Sequence, residues 1–142
     1  MSTPPATLAW RWLVFNAVGV GGAALQLAVL TALVHGAGLH YALATAVAVE
    51  AAVLHNFLWH RRWTWPDRPA AAPGGPLAWV ALARFHASNG LVSLLGNLTV
   101  MSLLVGSLGL APVVANGVAI VACSVLNFAL GDHWVFPEPE RH

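Results

Sequence analysis

Four arginines, four asparagines and one glutamate are the residues of this 142-residue chain whose types and spacing could do chemistry. Arg11, Arg61, Arg62 and Arg84 each stand close to the end of a long uncharged stretch. A guanidinium there can hold phosphate oxygens through a bidentate fork. Asn16 follows Arg11 by five residues and Asn89 follows Arg84 by five, which sets each amide about 7.5 Å further along a helix. Asn56 and Asn127 lie a similar distance inside two further helices, so the four amides are expected at one depth, where they could ring a polar track. The same residues also have structural uses: arginines set topology and anchor headgroups, and amides link helices by hydrogen bonds worth on the order of 1 kcal/mol. Arg11 and Arg84, at matching positions, are the arginines favoured for an anionic substrate.

Glu50 stands nine positions after Tyr41 and eleven before Arg61, in the middle of an apolar stretch. An ionisable group at the bilayer centre costs roughly 2.5 to 3.5 kcal/mol on insertion scales. Glu50 is therefore expected to face the interior of a helix bundle, either protonated or paired from another helix. Proton coupling or recognition of a sugar hydroxyl would use it there; a single structural hydrogen bond is the plainer use. Other chemistry finds no footing. His55 and His60 are five apart without a Cys or carboxylate at ligand spacing, so no metal is expected. Cys123 is the sole cysteine, and no Ser/His/Asp set or carboxylate pair supports catalysis. Nor is there a phosphate loop or a basic run for nucleic acid. The expectation is a non-enzyme without a cofactor.

The elements that must position these residues follow from the charge distribution. Only 8% of residues are charged and 58% are apolar, against about 25% charged in soluble domains. No charge occurs in the 38 residues between Arg11 and Glu50 or in the 47 between Arg84 and Asp132. A 38-residue helix would be about 57 Å long, nearly twice a hydrocarbon core of about 30 Å, so each stretch must fold back. Breaks at His35-Gly36-Ala37-Gly38 and at Gly106-Ser107-Leu108-Gly109 with Pro112 give four transmembrane helices near residues 13–35, 41–60, 84–106 and 112–131. The stretch around Pro66 to Pro76 reads as a solvent loop, about 66–80, between halves of about 10–66 and 83–137 in a single membrane domain. The first apolar run is too long for a cleaved signal peptide. All six arginines, Arg68 and Arg141 included, lie at one side of such a topology, which puts both termini and the central loop in the cytoplasm. All seven tryptophans flank helix ends on that side, where an indole suits the headgroup level.

The halves look like copies. Arg11 and Asn16 match Arg84 and Asn89 at an offset of 73, whereas Gly38-Leu39 and Asn56-Phe57 with Trp63 match Gly109-Leu110 and Asn127-Phe128 with Trp134 at 71. The expected fold is an all-α integral membrane protein of four helices, arranged as two parallel two-helix repeats with both termini cytoplasmic. The run Asn56-Phe57-Leu58-Trp59-His60-Arg61-Arg62-Trp63-Thr64-Trp65 resembles the signature that closes the second helix of GtrA-like membrane proteins. Asn127-Phe128 to Trp134-Val135-Phe136 resembles the closing motif of that family, and Arg11 with Gly19 its opening segment. Asp132 departs from it, since that position more often carries a basic residue.

The resemblance implies a multi-pass protein of the bacterial cytoplasmic (inner) membrane in cell-surface polysaccharide or glycoconjugate synthesis. It would flip a polyprenyl-phosphate-linked monosaccharide across the bilayer, beside a polyprenyl-phosphate glycosyltransferase. Two alternatives stay open: a proton-coupled exporter of the small multidrug type, whose carboxylate usually sits in the first helix, and a non-transporting scaffold for a glycosyltransferase. Four short helices leave little room for an enclosed path, so a homodimer is a further expectation.

Overall fold

A computed structural model describes residues 7–72 and 74–139; Arg141, assigned above to the cytoplasmic tail, lies outside the described residues. Four helices are long and apolar enough to cross a membrane: α1 (Leu8–Gly36), α2 (Tyr41–Thr64), α3 (Pro76–Ser107) and α4 (Pro112–Val135). The chain is an all-helical, multi-pass membrane protein.

Local chemistry fixes the helix ends. Thr7 Oγ1 accepts from the Trp10 amide at 3.3 Å to open α1, and His40 Nδ1 accepts from the Ala42 amide at 3.3 Å to open α2. Helices α3 and α4 begin on Pro76 and Pro112, whose missing N–H leaves no intrahelical bond unmade in a first turn. At the hairpin turns, α1 and α3 widen into π-helical segments, Ala32–Gly36 and Ser102–Ser107. Gly38 and Gly109 then reverse the chain at φ +64° and +65°, a backbone conformation costly to residues with a Cβ. The Leu39 amide donates to the Leu33 carbonyl, and the Leu110 amide to the Leu104 carbonyl, each at 2.9 Å. Helices α2 and α4 also end in π turns, His60–Thr64 and Gly131–Val135, closed by the Trp65 amide on the His60 carbonyl and the Phe136 amide on the Gly131 carbonyl.

Several boundaries differ from the expectation: α1 starts at Leu8, ahead of the expected 13 and ahead of Arg11, α2 and α4 run on to Thr64 and Val135, and the largest difference is at α3. Helix α3 starts at Pro76, eight residues before the anticipated 84, so the loop is shorter than 66–80. Leu77-Ala78-Trp79-Val80 continues the helix, and Arg84 is carried on its flank. A charge marks the limit of an uncharged run; it does not stop a helix, which needs a backbone reason to end.

The chain divides into two compact units, Met1–Asp67 and Arg68–His142. In the first, α1 packs along α2. Buried Arg11, Phe15, Val18 and Gly22 mark the inward side of α1, and Ala44, Ala48, Ala52 and Phe57 that of α2. Alanines at i, i+4 and i+8 share one face and let backbones approach closely. In the second unit, Ala78, Ala81, Phe85 and Ser88 of α3 and Ala115, Ala119 and Phe128 of α4 are buried. Bulky side chains such as Val20, Leu27, Leu43 and Val113 are exposed instead, which suits a solvent made of hydrocarbon.

Candidate functional site

Cation placement separates the predicted arginines into committed and available groups. Arg11, whose side chain is 8% exposed, pairs through Nη2 with Asp67 Oδ2 at 2.8 Å. In the second unit Arg68, its side chain 3% exposed, pairs with Asp132 at 3.0 Å and Glu138 at 3.3 Å. Asp132, where the motif more often has a basic residue, holds a buried guanidinium. Arg84 donates from Nη1 to the Trp134 carbonyl at 2.9 Å and lies over that indole at 5.7 Å. Arg61 lies over the Phe57 ring at 5.4 Å. Arg62 is exposed in the π turn that ends α2 and has no partner among the described residues.

The four amides do not share one depth. Asn16 donates to the Trp12 carbonyl at 2.8 Å, and Asn89 to the Phe85 carbonyl at 3.3 Å, each one turn back on its own helix. Asn56 lies against Gly22, six residues and about 9 Å further into α1 than Asn16. A Cβ at Gly22 would collide with the Asn56 amide. Asn127 donates to Ser93 Oγ at 2.5 Å, four residues beyond Asn89. Within each unit the two amides therefore stand at successive levels, which corrects the expectation of a common ring.

These two contacts fall at a single sequence offset. Gly22 with Asn56 and Ser93 with Asn127 keep the offset of 71 in both partners. Arg11 and Arg84, 73 residues apart, have different partners.

Glu50 lies on the exposed side of α2, not on the inward stripe where a bundle-facing residue was expected. The inward stripe is Ala44, Ala48 and Ala52, and two residues from Ala48 is about 200° around the helix. Its side chain therefore faces outward from the chain, at the tenth of 24 residues in the span.

Aromatic residues at the charged end of the first unit escaped the sequence reading. His60 stacks on Phe15 at 4.7 Å, its Nδ1 shares a hydrogen bond with Thr64 Oγ1 at 3.0 Å, and Trp65 closes over both rings. Trp65 is fully buried rather than at the headgroup level, because the turn after Thr64 folds it inward. Beside this cluster runs a groove of about 320 Å³. Val14, Ala17, Val18 and Gly21 line its α1 side, and His55, Trp59 and Trp63 its α2 side. The Trp59 and Trp63 rings are 4.1 Å apart. The only available sequence signal was the spacing of 55, 59 and 63, one helical turn each.

Residues 14–136 match the family model of the GtrA/DPMS transmembrane domain. The chain belongs to the GtrA/DPMS family. No curated protein sequence matches it. Membership in GtrA/DPMS points to glycoconjugate synthesis, and the match takes in three spans whole, α1 from residue 14 onward, and every candidate residue except Arg11.

Proposed function

We propose that this GtrA/DPMS-family protein carries a polyprenyl-phosphate-linked monosaccharide from the cytoplasmic to the outer leaflet of the bacterial inner membrane. The cargo would feed cell-surface polysaccharide or glycoconjugate synthesis. The protein makes and breaks no covalent bond in this reading; a polyprenyl-phosphate glycosyltransferase supplies the loaded lipid. Both termini lie on the cytoplasmic side, as the arginine distribution favours, and the two hairpins are parallel repeats. The observation that carries the proposal is the division among the cations. Arg11 and Arg68 are spent on Asp67 and Asp132, whereas exposed Arg62 stands at the end of α2 and enters no salt bridge among the described residues. A guanidinium that keeps its fork accessible at the headgroup level is suited to a lipid phosphate.

Reconstitution of the full chain in liposomes tests the proposal. Purified protein should move a short-chain polyprenyl-phosphate sugar across the bilayer, and Arg61→Gln with Arg62→Gln should lower the rate about tenfold. Absence of movement in folded protein that still binds the glycosyltransferase would favour the scaffold reading.

A further inference from the structure

The geometry points to the α1/α2 groove as the seat of a prenyl chain, with Arg62 as the cation that holds its phosphate. This inference rests on the proposed function and adds a subsite with its own residues, His55, Trp59, Trp63 and Gly21. The groove lies entirely within the spans α1 and α2, so its occupant enters from the lipid phase. Its α1 side runs from Val14 to Gly21, about 10 Å at 1.5 Å per residue, long enough for the first isoprene units of a chain. The lining is apolar apart from His55, whose Nδ1 is engaged with Asn56 Oδ1 at 3.2 Å. A pocket of this kind suits an apolar chain.

Two features favour a prenyl chain over a straight acyl tail. Ala17 and Gly21 put small residues on the α1 side, and an added Cβ at Gly21 would meet His55 at 3.4 Å. The opposing wall is made of ring faces, with His55 against Trp59 at 6.1 Å and Trp59 against Trp63 at 4.1 Å. Methyl branches fill a broad slot, double bonds lie flat on π faces, and a stiff chain loses less conformational freedom on binding. Trp63, 53% exposed, is at the end of α2 next to exposed Arg62. Head and tail of one amphiphile are therefore addressed by adjacent residues. At the offset of 71, Gly21, His55 and Trp59 correspond to Val92, Leu126 and Leu130. Of the ring-bearing wall only Trp63 has an aromatic counterpart in the second unit, Trp134.

Photolabelling tests the site. The full chain in nanodiscs is exposed to a diazirine-bearing farnesyl phosphate, and labelled peptides are mapped by mass spectrometry. Labels should fall on 14–21 and 55–63 and be displaced by unlabelled farnesyl phosphate about tenfold more effectively than by palmitoyl phosphate. Gly21→Leu, which fills the slot, should cut labelling about tenfold, and Trp63→Ala offers a second variant on an exposed side chain. Arg62→Gln should weaken competition about fivefold without moving the labelled positions. Equal displacement by palmitoyl phosphate, or labelling elsewhere, overturns the inference. So does a folded Gly21→Leu protein that still carries the polyprenyl-phosphate sugar at the wild-type rate. Groove labelling without transport by wild-type protein would overturn the carrier reading and leave the groove standing.

Discussion

Asp132 shows how one substituted position reorganises a site. In the first half the corresponding residue is Arg61, which stays at the helix surface over Phe57. In the second half a carboxylate reaches the buried Arg68 instead. Removing one partner of a buried pair typically costs about 3 to 5 kcal/mol because the other charge is left desolvated. Asp132→Arg goes further, since it sets two guanidinium groups where the pair is now 3.0 Å apart. The expected outcome is a clear fall in the unfolding temperature of the detergent-solubilised protein. Asp132→Asn should show a smaller fall, and the exchanged double variant Arg68→Asp with Asp132→Arg should recover part of it. A thermal scan by fluorescence-detected size exclusion checks all three. Unchanged stability in Asp132→Arg would remove the structural account of that residue.

Among the helices, α3 contains a further π segment, Ala87–Val92, inside the span. Phe15 and Gly22 are seven residues apart on α1, whereas Phe85 and Ser93 are eight apart on α3, although all but half-buried Ser93 are buried and each pair opens on an equivalent asparagine. One extra residue is absorbed as a wider turn. Deletion of Gly90 should therefore relax α3 to an ordinary α-helix and leave a monodisperse, fully helical protein. Deletion of Gly19, which also has open space at its Cβ position, should rotate Phe15 about 100° relative to Gly22 and unfold the hairpin. Size exclusion and circular dichroism distinguish the two, and equal damage from both would contradict the insertion account. The turns at Gly38 and Gly109 and the start at Pro112 were legible in the sequence because glycine and proline act locally. Helix orientation was not. In water a polar face identifies the outside, but lipid makes the outer face as apolar as the inner one, so nothing in Ala48, Glu50 and Ala52 announced which would turn inward. Burial of His60, Arg68 and Trp65 depended on turns after helix ends, which hydropathy does not describe.

For the molecule as a whole, Glu50 is the residue that connects one chain to its surroundings. It lies on the exposed side of α2 at mid-span, where a second copy of the chain, the partner the homodimer expectation supplies, would pack. Glu50→Gln should abolish transport in liposomes while expression is preserved; wild-type activity would separate Glu50 from the mechanism. Glu50→Cys should form a disulfide-linked dimer in membranes under mild oxidant, and a monomer that resists cross-linking while transport persists would remove the dimer from the reading.

The hairpin turns carry a separate consequence. Each consists of four residues, Ala37 to His40 and Leu108 to Ala111, too few to build a vestibule or a receptor on that face. In the proposed function, cargo arriving at such a turn would pass at once to the leaflet or to a different protein. In the proposed carrier, direction would then be set downstream, by whichever acceptor empties the outer leaflet.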